Sequence, residues 1–168
     1  NSQENTTIPN ADPFCSDTGI LFNNTTGNIF AEEGPNYGCL AGNRPRPSWF
    51  YIRIDQPGDL SLQIEQNTED DFTGAGIDVD FIAWGPFRET TLEDIQNGNY
   101  DLLSAQNQVD CSWSSAAIET LDIVNAETGS YYLILITNFG GNAGFIRMYE
   151  NFPGQVGTGT TDCSIVAG

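Results

Sequence analysis

Two aspartates, Asp78 and Asp80, stand two residues apart in the run Ile77-Asp78-Val79-Asp80-Phe81-Ile82-Ala83-Trp84. On a strand, side chains at i and i+2 share a face, so both carboxylates project one way while Val79 and Phe81 project the other. Like charges at that spacing repel, and a hard cation would relieve them. Calcium takes about 6–8 oxygen ligands in flexible geometry, which carboxylates, asparagine side chains and loop carbonyls supply. Glu69, Asp70 and Asp71 lie just upstream in a glycine-containing loop, EQNTEDDFTGAG, able to fold back. The expected metal site is therefore Asp78 and Asp80 with one or more of Asp71, Asp70 and Glu69, and Ca²⁺ is the candidate cofactor. The spacing matches no EF-hand loop, and a solvated acidic loop is the competing reading.

Other chemistry is restricted by what the chain lacks. Its 168 residues contain 23 acids, five basic residues that are all arginines, and no histidine or lysine, for a net charge of −18. Serine–histidine and cysteine–histidine nucleophile pairs, histidine-ligated zinc and Schiff-base lysines are excluded. Glycosidase chemistry needs only two carboxyls roughly 5–9.5 Å apart. Among 23 acids some pair meets that condition by chance, so no catalytic residue is assigned and a non-enzymatic role is expected. The charge opposes nucleic acid and anionic lipid, and no apolar run reaches the length of about 18 residues that reads as a membrane span.

Four cysteines, Cys15, Cys39, Cys111 and Cys163, have no C-x-x-C spacing. They read as two disulfides of an exported protein whose signal peptide has been removed, an extracellular or cell-surface location. Three pairings are open; Cys15 with Cys39 and Cys111 with Cys163 is preferred, because the first pair brackets a plausible hairpin. Trp49 and Trp84 sit inside strands and read as core. Trp113, between serines, is the better candidate for exposure, and with Tyr100 it is the candidate ligand platform for stacking on a sugar. Arg44 and Arg46 flank prolines in a loop and are expected to pair with surface acids. Asn5 and Asn23 or Asn24 fit a glycosylation pattern that chance explains in so Asn- and Thr-rich a chain.

These residues must be positioned by strands. Residues 1–13 form an N-terminal tail or extended arm, and 14–168 a single β-sandwich domain. Trp49 to Ile54 alternates up to the turn Asp55-Gln56-Pro57-Gly58, and Leu60, Leu62 and Ile64 follow at period two, reading as a hairpin. Further strands are expected at 77–84, 109–114, 119–124, 131–137 and 145–149, with a short terminal one at 164–166. Thr90-Thr91-Leu92-Glu93-Asp94-Ile95 begins one short helix, with a Thr-x-x-Asp start resembling a capping box. The expected fold class is all-β, a two-sheet antiparallel sandwich of jelly-roll type.

The segments PNYGCL, RPRPSWFYIRIDQPG, GIDVDFIAWGPF, VDCSWS, NAETGSYYLILITNF and TDCSI follow in that order over nearly the whole chain. Together they resemble the β-sandwich domains of secreted and cell-surface proteins of gliding Bacteroidetes, similar in pattern to bacterial pre-peptidase C-terminal domains. The resemblance implies export, a jelly-roll-like sandwich and a non-catalytic role beside adhesins or hydrolases; it carries over no binding site beyond the acidic strand. The expected function is extracellular adhesion or surface attachment, with a cell-surface glycan or protein, or copies of the chain itself, as partner. The rivals are a fibre subunit that donates residues 1–13 to a neighbour's sheet edge, and a carbohydrate-binding accessory domain of a secreted hydrolase.

Overall fold

A computed structural model of the chain describes residues 5–166. It contains strands β1 (Asp12–Pro13), β2 (Ile20–Asn23), β3 (Pro47–Arg53), β4 (Gly58–Asn67) and β5 (Val79–Phe87), the helix α1 (Glu89–Gln96), then β6 (Gln108–Ser112), β7 (Ile118–Ala126), β8 (Tyr131–Asn138) and β9 (Phe145–Glu150). One sheet has the order β1-β3-β8-β5-β6 and the other β2-β9-β4-β7. Every pairing is antiparallel except the two-residue β1 against β3. Leaving β1 aside, the eight remaining strands fall into two four-stranded sheets in the order of a jelly roll. The expected all-β sandwich with one short helix is the fold observed.

Alternation explains the inner faces. Phe50, Ile52, Leu62, Ile64, Phe81 and Ile134 meet between the sheets. The first sheet, however, is covered on its other face too. Trp49, Ile82, Trp84, Leu133 and Leu135 form a second cluster there, roofed by Ile8, Tyr37, Leu40, Leu92, Ile95 and Leu103. Trp49 and Trp84 stack at 5.8 Å, and the Tyr37 ring meets Trp84 edge-on at 5.9 Å. All eight residues of β8 are consequently buried, which is why that strand reads as an unbroken apolar run and not as an alternation.

Several expectations are corrected. The strands β3 and β4 do not form a hairpin: β3 pairs with β8, whereas β4 pairs with β7 and β9. The Asp55–Gly58 turn is a corner between sheets, because period two fixes which side chains share a face but not which sheet the strand joins. The disulfides are Cys15–Cys163 and Cys39–Cys111, not Cys15–Cys39 and Cys111–Cys163. Cys39 lies in the roof, in the single helical turn Gly38–Leu40, and ties it to edge strand β6; Cys15 ties the two ends of the chain. The helix begins after Arg88 with no side-chain cap, and a capping box occurs instead at Ser104 and Asn107. Cys163–Ile165 forms a helical turn, so the short strand expected at 164–166 is absent.

Residues 1–4 of the expected arm lie outside the described residues. The remainder of the arm folds on its own domain. Ile8 is fully buried in the second cluster and β1 extends the sheet edge at β3. Asn5 is buried, its Nδ2 donating to the Trp49 carbonyl at 2.9 Å while Trp49 N–H donates back at 2.8 Å.

Peptide mapping under non-reducing conditions is expected to recover Cys15 linked to Cys163 and Cys39 linked to Cys111. The Cys39→Ser/Cys111→Ser pair should lose about 2–5 kcal/mol of stability in denaturant melts. Trp84→Ala, which opens the middle of the roofed cluster, should cost about 3–5 kcal/mol.

Candidate functional site

The start of β5 sets the site. Val79 and Phe81 enter the inter-sheet core, so Asp78 and Asp80 take the opposite face, as the alternation requires. Asp80 is only 1 % exposed. Its partner across the ladder is Thr137 of β8, so the two side chains lie side by side on that face. The turn after β6 closes over them: Ser114 N–H donates to Asp80 Oδ1 at 3.2 Å, and Val79 N–H donates to the Ala116 carbonyl at 3.2 Å. The Asp78 backbone is fastened as well, its carbonyl accepting from Gln66 Nε2 and from Gly140 N–H, each at 3.0 Å.

A third carboxylate acts on this pair through its charge, from the inter-sheet side. Glu119, near the start of β7, accepts from the hydroxyls of Ser112 and of Ser114, the latter at 3.0 Å. The Asp80 carboxyl is pushed up to about 7, chiefly by burial; Ser114 N–H works against the shift, while the charges of Asp78 and Glu119 add to it. Asp78 is also raised, by burial and then by Glu119. Within the group, Asp78 Oδ1 and Thr137 Oγ1 are buried without a hydrogen-bond partner. No arginine among the described residues pairs with these acids. Arg44, Arg53 and Arg147 pair with Glu33, Asp162 and Glu65, and Arg46 donates to the carbonyls of Asn138 and Phe139 at 2.7 and 2.8 Å. Arg44 thus meets an acid as expected, whereas Arg46 fastens a loop.

The upstream acids do not join. The neighbouring charges acting on Asp80 are Asp78 and Glu119, and none comes from Glu69, Asp70 or Asp71. Their loop folds on itself instead. Asn67 Oδ1 accepts from the N–H groups of Glu69 and Gly74, both at 3.0 Å, and Asp71 Oδ1 accepts from Thr73 N–H at 3.1 Å and from its hydroxyl at 2.6 Å. Glu119 was missed although a signal existed: in Ile118-Glu119-Thr120-Leu121-Asp122-Ile123 it shares the inward period with Leu121 and Ile123. An acid in a core-facing register is unusual enough to be informative.

Trp113 is 44 % exposed and packs edge-to-face on Phe139 at 4.9 Å. It directly precedes Ser114 and so adjoins the carboxylates. Tyr100 is elsewhere, half-buried against the second cluster, and the two candidate platform residues form no joint surface. Among the described residues, the set of three ligating side chains whose ligand atoms lie within 4.8 Å of one another is Cys15, Asp17 and Cys163, not Asp78, Asp80 and Glu119; both its sulfurs are joined in a disulfide, which removes the thiolates a soft metal would need.

No protein-family model matches the chain, and no curated protein matches its sequence. Solved structures do match its shape. CorA, a surface-associated copper-binding protein important in copper acquisition by Methylomicrobium album BG8, aligns with a TM-score of 0.51 at 7 % identity, over 85 % of this chain and 98 % of CorA. The pre-peptidase C-terminal domain of collagenase from Bacillus anthracis aligns with a TM-score of 0.46 at 10 % identity, over 84 % of this chain and 94 % of that domain. At such identities the likeness to CorA is one of fold.

The raised Asp80 carboxyl has a consequence for stability. In the unfolded chain it ionises near 3.8 and in the folded one near 7, so between those values the folded state holds a proton that the unfolded state has released. Its contribution to stability therefore falls as pH rises through that window, by at most about 1.4 kcal/mol per pH unit. Denaturant melts with chelator present are expected to show the wild type losing ground to Asp80→Asn from about pH 4 to pH 7. A difference independent of pH would contradict the burial argument.

Proposed function

We propose that this chain is a non-catalytic attachment domain of an exported protein, its jelly roll braced by two disulfides and by a calcium ion held at Asp78 and Asp80. The supporting observation is Asp80 itself: a carboxylate 1 % exposed, with two further acids acting on it and no arginine paired to it. Burying a charge without a counter-charge is costly, and a divalent cation supplies that counter-charge. The candidate ligand atoms are hard oxygens. Asp78 Oδ1 and Thr137 Oγ1 lack other partners, and the Ser112 and Ser114 hydroxyls flank Glu119. That donor set suits calcium and offers no soft or imidazole ligand.

The same burial speaks against acid–base catalysis. A carboxyl raised to about 7 has the protonation of a general acid at neutral pH, but a group this enclosed offers a glycosidic bond no approach. Disulfide bonding of all four cysteines supports an oxidising, extracellular setting. Donation of the N-terminal arm to a neighbour is disfavoured, since Ile8 and β1 are already engaged at home. The carbohydrate-binding reading draws support from Trp113 and Phe139 beside the carboxylates.

Calcium near 1 mM, within the range used by extracellular modules, is expected to raise the melting temperature at pH 8 by about 3–6 °C over a chelated sample. Asp78→Asn combined with Asp80→Asn should abolish that rise, while Asp71→Asn should leave it intact. An unchanged wild-type melting temperature would remove the metal from the proposal. A glycan array probed in calcium tests the attachment role, with Trp113→Ala as the variant expected to lose any signal.

A further inference from the structure

At the other end of β4 and β7 lies a cleft of about 440 Å³, within the range of about 300–1,000 Å³ typical of ligand sites. Its lining includes Leu60 and Ile123, whose side chains are buried in the inter-sheet core, and its walls are Val124, Phe152 and Val156, which are respectively 69 %, 52 % and 106 % exposed. Three large apolar side chains left to water around one concavity form a patch of the kind that marks interaction sites. Two carboxylates rim it, Asp59 and Asp122. Asp59 is oriented by its Oδ1 accepting from Asn125 N–H at 2.8 Å, while the Asp122 backbone is fastened by its N–H donating to Asp110 Oδ2 at 2.8 Å. Neither forms an ion pair with an arginine among the described residues.

We infer that this cleft seats an extended basic segment of a partner polypeptide, an apolar side chain entering between Val124, Phe152 and Val156 while an adjacent arginine or lysine meets Asp59 and Asp122. Charge complementarity selects the occupant. A second copy of this chain would bring a further −18 to a negative rim, whereas a basic segment is drawn to it from a distance. Apolar burial supplies affinity and the two carboxylates fix which side chains are accepted. The site does not depend on the calcium reading, since none of its residues belongs to the carboxylate group at Asp80.

The test is an amide-resolved NMR titration of the whole protein, in calcium, with the capped peptide acetyl-Gly-Leu-Arg-Leu-Arg-Gly-amide and its counterpart bearing glutamate in place of arginine. Saturable shifts at residues 59–61, 122–124 and 152–158 with the arginine peptide, and none with the glutamate peptide, are the expected result. Asp59→Asn with Asp122→Asn should weaken binding about three- to tenfold. Asp59→Asn keeps the acceptor for Asn125 N–H, so the fold is retained. Val124→Ser with Phe152→Ser should weaken it about tenfold or more. Shifts spread over the acidic surface without saturation, equal binding of both peptides, or wild-type affinity in the Asp59/Asp122 variant would each overturn the proposal. So would shifts at these residues produced by a neutral oligosaccharide but not by the arginine peptide.

Discussion

The structure depends on one sheet being buried on both faces. The strands β3, β5 and β8 carry apolar side chains toward the second sheet and, alternately, toward the Trp49–Trp84 stack. A strand covered on both sides has no exposed polar face to anchor it, so its outer layer must be supplied by chain that is not strand. Here the N-terminal arm, the Gly38–Leu40 turn, α1 and the segment at Leu103 do this. The Cys39–Cys111 bond fastens that roof to the sheet edge, and Trp84 Nε1 donates to the Asn36 carbonyl at 3.1 Å from beneath. Ordering such irregular chain carries a large entropic cost. A crosslink and a stacked tryptophan pair are effective means of offsetting it, because both act on segments that have few ladder hydrogen bonds of their own.

Period two made most of the strands legible. Ile64, Leu62 and Leu60 mark β4, and the apolar run from Tyr131 marks β8 as a strand enclosed on both sides. Pairing was not legible, because alternation is a property of a single strand, while partner choice depends on distant chain. The Asp55–Gly58 turn illustrates this: its residues suit a hairpin, but the burial of both faces of β3 requires β8 beside it, and β4 is carried to the other sheet. The disulfides failed for the same reason. Cys39 is near Cys15 in sequence, yet it belongs to the roof, and only the three-dimensional path of that roof brings it to β6. Within the site, Asp78 and Asp80 were readable from their spacing. Glu119 was obscured by the abundance of acids, and Glu69 to Asp71 attracted attention through proximity although Asn67 and Thr73 already satisfy their loop.

The arginines account for the electrostatic character of the site. Three of the five form the ion pairs with Glu33, Glu65 and Asp162. Of these, the Glu65–Arg147 pair is the most enclosed on its acidic side: Glu65 also accepts from Gln63 and Tyr149, and together these bonds outweigh the effect of burial and lower its carboxyl below the usual range. Asp80 is the opposite case. It is buried at least as deeply, receives one backbone N–H, and is raised. Two acids of similar burial thus diverge through their partners, not their depth. Where the fold supplies a guanidinium, as Arg147 does to Glu65, the acid is held ionised; where it supplies only a backbone N–H, as at Asp80, the carboxyl is raised.

That division bears on how so acidic a surface could attach to anything. A net charge of −18 keeps the domain soluble and repels other anionic surfaces at distances up to the Debye length, about 8 Å at physiological ionic strength. Contact with an anionic partner would therefore have to be made where repulsion is locally cancelled. The calcium position proposed at Asp78 and Asp80 would do this through a divalent ion, close in sequence to the exposed Trp113. The cleft between β4, β7 and the 152–158 loop, on the inference drawn above, would do it by drawing its counter-charge from the partner. The two positions lie toward opposite ends of β7, from Glu119 to Val124, so one edge strand separates the proposed calcium position from the proposed partner cleft. Attachment through the first would strengthen with divalent ion concentration, and through the second would weaken with ionic strength, which makes the two contributions separable in a single protein.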